Sequence, residues 1–184
     1  MTSGSKSKTY SFKTKRKSES LELSTMAGIM KSTNIISKNG YRSALFTSNS
    51  IPDYIYYEAS MEGCKGFARV GVATESAEIN GPIGMDENGY SFGSKNGYGF
   101  HKGRRIRMGE RFGNGDIVSC LVKPEESCKI VKFYINGIQI PKFFRVSKEI
   151  TFWPAFSVCQ KCILNINLGP FFSYEDKIKA VESL

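Results

Sequence analysis

Apolar and polar side chains alternate with a period of two along much of this chain, the pattern of strands that bury one face. Ile55, Tyr57, Ala59 and Met61 alternate with Tyr54, Tyr56, Glu58 and Ser60, which predicts a strand with one buried and one wetter face. Val131, Phe133 and Ile135 alternate in the same way with Ile130, Lys132 and Tyr134, and Leu164, Ile166 and Leu168 with Asn165 and Asn167. Residues 117–122 are apolar on both sides, as a central strand would be, and residues 151–156 supply one more. Six Asn-Gly pairs, beginning at Asn39, Asn80, Asn88, Asn96, Asn114 and Asn136, punctuate these runs. Asn-Gly accepts the positive φ of tight turns and is the strongest short-range hairpin signal. Many short strands and frequent turns predict an all-β antiparallel sandwich.

Helical periodicity is confined to two places. Residues 19–30 could hold a turn or two. Residues 174–184 are the better candidate, with Ser173 as a cap, Asp176 three residues on, and Ile178, Val181 and Leu184 along one side. A helix this short needs a surface to dock on.

At 184 residues the chain suits one domain with a sizeable core. No apolar run approaches the roughly 18 residues of a membrane span, and the start lacks the apolar core of a signal peptide. An intracellular address without membrane contact is expected. The net charge of +9 is uneven, because residues 1–20 carry six basic side chains against Glu19 alone. That segment is predicted to be a disordered basic tail, and Lys13 to Lys17 resemble a short nuclear-import signal or an arm for nucleic-acid phosphates. The division expected is a tail over 1–20, one domain over 21–172, and a short helix or tail over 173–184.

Chemistry is sparse. The five cysteines are odd in number and irregularly spaced, so no disulfide framework is expected. Cys159 and Cys162 are spaced like half a zinc site, but zinc needs four ligands and there is one His, so both are expected to be buried strand cysteines. No cofactor or metal is expected. With no nucleotide loop, no paired-carboxylate motif and no base assignable to a nucleophile, an enzyme is the least favoured class. Residues 68–101 instead read as a strand running into a glycine-rich surface that displays Arg69, Pro82 and Lys95, an arrangement suited to gripping another protein.

Tyr56-Tyr57-Glu58, Ala68-Arg69-Val70-Gly71, Gly89-Tyr90-Ser91, Gly115-Asp116-Ile117-Val118, Phe133-Tyr134-Ile135-Asn136-Gly137 and Trp153-Pro154-Ala155-Phe156 resemble, in order, the strands and turns of a SPRY domain. The resemblance runs from about residue 39 to 172. Within the family, residues 81–84, residues 90–95, Phe100-His101 and the ending at residues 168–172 are most similar to the absent-small-or-homeotic-discs subunit. That subunit belongs to the trithorax/COMPASS complexes that methylate lysine 4 of histone H3. The resemblance implies a SPRY-type sandwich and a nuclear, non-catalytic scaffold. Its surface would bind an acidic segment of the WD-repeat subunit and so stimulate the SET-domain methyltransferase.

Position by position it implies contact roles for Tyr41, Arg69, Pro82, Lys95 and, where the branch has tyrosine, Met85. Gly93 stands where the branch has a second arginine, and Arg104, Arg105 and Arg107 just downstream could compensate. Lys15, Arg16, Lys17, Arg104, Arg105 and Arg107 are also candidates for contact with nucleosomal DNA. In the branch a C-terminal helix docks on a small dimeric helical subunit, for which Ile178, Val181 and Leu184 would be the remnant. The alternatives are an adaptor in another nuclear assembly, either a ubiquitin-ligase receptor or a nucleic-acid-associated protein.

Overall fold

A computed structural model describes residues 12–18, 21–24, 29–32, 41–48 and 53–183. The period-two runs become two antiparallel sheets packed face to face. One has the order β1 (Phe12–Lys17), β4 (Tyr41–Ser48), β14 (Trp153–Cys159), β6 (Phe67–Ala73), β7 (Gly89–Gly93), β8 (Tyr98–His101), β9 (Arg104–Arg107). The other has the order β12 (Ile138–Gln139), β11 (Cys128–Ile135), β10 (Ile117–Pro124), β5 (Ile55–Glu62), β15 (Cys162–Asn167), β3 (Ile29–Ser32), β2 (Glu22–Ser24), with β13 (Phe144–Ser147) paired to β11. One helix, α1 (Glu175–Glu182), follows.

The main core lies between the sheets. Val70, Val72, Phe92, Phe156 and Val158 from one sheet meet Tyr57, Val118, Phe133 and Leu164 from the other, all fully buried. Aromatic edges set the spacing, with Tyr57 and Phe156 centroids 4.9 Å apart at 64°. Two satellite cores lie on the outer faces. Leu45, Ala73, Ala77, Ile83, Trp153 and Ala155 pack where residues 74–88 fold back over the first sheet. Tyr56, Leu121, Tyr134 and Ile178 pack where α1 covers the second.

That second cover corrects two expectations. The face of β5 predicted to be wet is dry, since Tyr56 and Glu58 are both buried under the C-terminal segment. Glu58 accepts hydrogen bonds from the N–H groups of Ser173 (2.8 Å) and Tyr174 (2.7 Å) and from the Tyr56 hydroxyl (2.9 Å). A buried carboxylate therefore fastens the start of the helix, in place of the Ser173 cap. The helix also does not present Ile178 to a partner, because Ile178 is buried on the chain's own sheet while Val181 is half exposed. Leu184 lies outside the described residues.

The N-terminal expectations change as well. Phe12–Lys17 is not disordered tail but an edge strand paired with β4, with an irregularity between Thr14 and Arg16. Charged, lysine-rich edges guard a sheet against further pairing, which suits this sequence to an outer strand. Residues 1–11 lie outside the described residues. The weak helical pattern of 19–30 gives β2 and β3. Cys159 and Cys162 are buried strand cysteines, but Cys162 forms a disulfide with Cys64, which the odd count had argued against. Irregular spacing carried no information here because the pair joins residues 98 apart, Cys64 in the loop after β5 and Cys162 at the start of β15. Asn39-Gly40 is outside the described residues, and Asn136-Gly137 makes the expected two-residue turn with φ of 51° and 73°.

Glu182 closes the far end of the helix. Burial works to raise its carboxyl pKa, but hydrogen bonds from Lys123, Lys132 and Tyr134 outweigh that and bring it from the ordinary 4.5 to about 2. Tyr134 and Lys132 each lie 2.6 Å from the carboxylate. A depressed carboxyl stabilises the fold above its unfolded pKa and loses that contribution as pH falls through the folded value. We predict that helix docking weakens between about pH 4.5 and 2, by on the order of 2 kcal/mol. Amide exchange of α1 against pH checks this, and a Glu182→Gln variant should show a weakened helix with that pH dependence flattened.

Candidate functional site

The outer face of the first sheet is covered at one end by residues 74–88 and open at the other. Cross-strand pairing puts Ser157, Arg69 and Gly93 in one row, and Gly71, Ser91, Phe100 and Arg105 in the adjacent row on the same face. Tyr41 pairs with Cys159 on the same face. These residues surround an open cleft of about 270 Å³ lined by Tyr41, Phe67, Arg69, Lys95, Phe100 and Arg105, with Gly93 and Asn96 completing it. No carboxylate lines it.

Arg69 is the centre of this cleft. It is 93% buried, its Nη1 donates to the Ile83 carbonyl at 3.0 Å, and its guanidinium lies 3.5 Å from the Phe100 centroid and 5.1 Å from that of Tyr41. Its Nε has no hydrogen-bond partner among the described residues. A buried donor left unsatisfied costs about 1–3 kcal/mol. Burial lowers the Arg69 pKa, opposed by the neighbouring Tyr41, and pushes the Tyr41 hydroxyl up to about 12, so Tyr41 stays protonated at neutral pH. Lys95 is exposed at the rim, with its ammonium 4.8 Å from the Phe67 centroid. The cleft is thus an aromatic-walled cation site suited to an anion with an apolar neighbour.

The loop before β7 is held by buried hydroxyls. The Ile83 N–H donates to Ser157 Oγ at 2.8 Å, and the Ile83 carbonyl accepts from Ser91 Oγ at 2.6 Å as well as from Arg69. Ser43 donates to the Gly81 carbonyl at 2.6 Å, and its hydroxyl is 2.8 Å from that of Ser157. Pro82 and Met85 are therefore carried on a pinned loop beside the cleft, Pro82 half-buried and Met85 half-exposed, but neither lines it.

Of the residues expected to bind a partner, the structure brings together Tyr41, Arg69 and Lys95. It adds Phe67 and Phe100, which carried no binding signal as lone aromatics in strand sequence. Gly93 has a physical explanation, since a Cβ there would meet Phe100 Cε2 at 2.9 Å. The ring of Phe100 fills the place of a longer side chain. Arg105, expected among the possible DNA or acidic contacts, lines the same cleft, whereas Arg104 and Arg107 do not. Lys15, Arg16 and Lys17 lie on β1, at the opposite edge of the sheet from β9, so the two basic clusters form no single patch.

A family model for the SPRY domain matches residues 54–171. The chain belongs to the SPRY family. This fold is generally a non-catalytic protein-interaction fold, and protein partners are what it implies for this chain. A crystal structure of a human SPRY domain superposes with a TM-score of 0.65 over 88% of this chain and 99% of that one, at 14% identity. Among curated proteins, the chain is 30% identical over 115 residues to a probable ATP-dependent RNA helicase ddx1 of Dictyostelium discoideum. It is 28% identical over 118 residues to heterogeneous nuclear ribonucleoprotein U-like protein 2 of Mus musculus. These matches cover 62% and 60% of this chain but only 14% and 16% of those proteins.

We predict that Ser157→Ala loosens the loop, costing about 1–3 kcal/mol and speeding exchange of the Ile83 amide. Met85→Ala, at an exposed position, should change stability by no more than about 0.5 kcal/mol. Chemical denaturation and amide exchange measure both.

Proposed function

We propose that this SPRY domain is a non-catalytic scaffold that binds an acidic segment of a partner protein in the Arg69 cleft. The supporting observation is a buried guanidinium with an unpartnered Nε, walled by Tyr41 and Phe100 and lacking any carboxylate neighbour in the cleft. A carboxylate entering there finds a charge-assisted donor at Arg69 and point charges from Lys95 and Arg105 at the rim, while Tyr41 supplies rigid apolar area. The resemblance in residues 81–84 and 90–95 favours one setting for this chemistry. That setting is a COMPASS-like histone H3 lysine-4 methyltransferase complex in the nucleus. The acidic segment would belong to the WD-repeat subunit, and the pair would stimulate the SET-domain subunit.

A second reading, an interaction domain within a nucleic-acid-associated assembly, is favoured by the names of the two curated relatives, an RNA helicase and a ribonucleoprotein. The domain would still bind protein in that setting, so the readings differ in the partner rather than the cleft. Affinity purification from native nuclei separates them. Recovery of WD-repeat and SET-domain subunits, lost with Arg69→Ala, supports the first reading, and recovery of RNA-binding proteins alone overturns it. In a direct titration with a Glu-rich peptide, Arg69→Ala should weaken binding by roughly tenfold to a hundredfold. Unchanged affinity would remove the cleft from consideration.

A further inference from the structure

Beyond the cleft the sheet ends in a strand with a free side. Among the described residues β9 pairs only with β8, and all four of its residues are exposed. Lys102 and Gly103, with φ of 52° and 68°, make the two-residue turn between them, and His101 pairs with Arg104. In such a hairpin the pair flanking the turn exchanges both backbone hydrogen bonds, and bonded and non-bonded pairs alternate from there. The Met108 N–H, in phase with Arg104 and Ile106, bonds the Gly97 carbonyl at 3.0 Å, as this alternation requires. The backbone groups of Arg104 and Ile106 are therefore spent on β8. Those of Arg105 and Arg107 point outward.

The same two residues carry their side chains on the cleft face, opposite Phe100 and Tyr98. Their guanidinium carbons lie 5.4 Å and 5.9 Å from the Tyr98 centroid, and Arg107 Nη1 donates to the Asn96 carbonyl. Arg105 belongs to both surfaces, since it lines the cleft with Arg69. No carboxylate among the described residues pairs with Arg104, Arg105 or Arg107. Charge decides what can add to this edge. Three arginines in four residues repel a second copy of the same strand, the usual guard against self-association. They attract an acidic strand.

We propose that β9 is a strand-addition site for an extended segment carrying acidic residues at alternate positions. Its backbone would pair with Arg105 and Arg107, and its acids would face their guanidinium groups. The inference rests on the acidic-segment reading of the cleft and extends it by giving the ligand a path and a conformation. A strand repeats its side chains every second residue, so acids at that spacing all fall on the cleft face. Backbone pairing would supply affinity and the arginines the selection, as in other strand additions. Nucleic acid has no backbone amide to pair with the edge.

The probe is a labelled peptide of about twelve residues in which Glu alternates with Val and Thr. At saturation, exchange of the Arg105 and Arg107 amides should slow by roughly tenfold or more, because only a paired backbone protects them. N-methylating the peptide's alternate amides on its pairing edge should weaken binding by roughly tenfold, and so should an Arg105→Glu/Arg107→Glu double variant. That variant should in turn bind the peptide with Lys in place of Glu. Binding without protection of those two amides, or equal binding of the N-methylated peptide, overturns strand addition. So does a single-stranded RNA that displaces the peptide while leaving the amides unprotected. Arg69→Ala separates the two proposals. Weakened binding by that variant, with the Arg105 and Arg107 amides unprotected in the wild type, leaves the cleft standing and rejects the strand. Undiminished binding with the amides protected does the reverse, and failure of the wild type to bind rejects both.

Discussion

The Ile83 peptide unit holds the functional end of this molecule together. Its carbonyl accepts from Arg69 and Ser91, and its N–H donates to Ser157, so three strands of the first sheet clasp one residue of a loop. The side chain of Ile83 completes the apolar patch with Trp153 and Ala155. This clasp divides the sheet's outer face. One part is sealed by residues 74–88, and the other remains open with Arg69 at the boundary. Arg69 is thereby both a structural and a binding residue, since one nitrogen is committed to the loop and another is left without a partner. A guanidinium can serve in this way because its five donors are spread over a rigid plane.

The opposite sheet solves the same problem differently. Its outer face is closed by the chain's own C-terminal helix, fixed at its start by Glu58 and at its end by Glu182. Both carboxylates project from or onto a face crowded with Tyr56 and Tyr134, and both find enough donors to remain in a largely dry site. The consequence for function is directional. A sandwich with one outer face capped and the other half open has its concave, cationic surface on the first sheet.

The sequence showed the fold through its periods. Alternation placed β5, β11 and β15, continuous apolar runs placed β10 and β14, and the ordered motifs supported the SPRY assignment. What it concealed was the second layer of burial. A Tyr56 or Glu58 on the polar side of an alternating strand looks solvent-facing until an element distant in sequence is laid over it. Phe12–Lys17 was concealed for the opposite reason. Lysines and threonines read as disorder in isolation, and only an unpaired neighbour edge on β4 makes a strand of them. In the site, Tyr41, Arg69 and Lys95 were legible through the motif. Phe100 was not, because its role follows from the missing side chain at Gly93 and from a cross-strand register that no local pattern encodes.

The distribution of positive charge bears on the kind of ligand. The net charge of +9 suggests a polyanion, but the two basic clusters, Lys15 to Lys17 and Arg104 to Arg107, lie on β1 and β9, the two edges of one seven-stranded sheet. Strands lie about 4.8 Å apart, so roughly 29 Å separates these edges, several times the screening length at physiological salt. The two clusters therefore do not act as one field. Between them the face is sealed by residues 74–88, which bury Ser43, Ser91 and Ser157 and carry Glu75, Glu78, Asp86 and Glu87, with the buried charge of Arg69 at the boundary of the open end. A duplex lying across the face would meet that acidic cover. A short acidic segment running from Arg69 past Arg105 and along β9 meets cations at successive steps, and this geometry favours a protein strand over a nucleic-acid duplex as the ligand of this face.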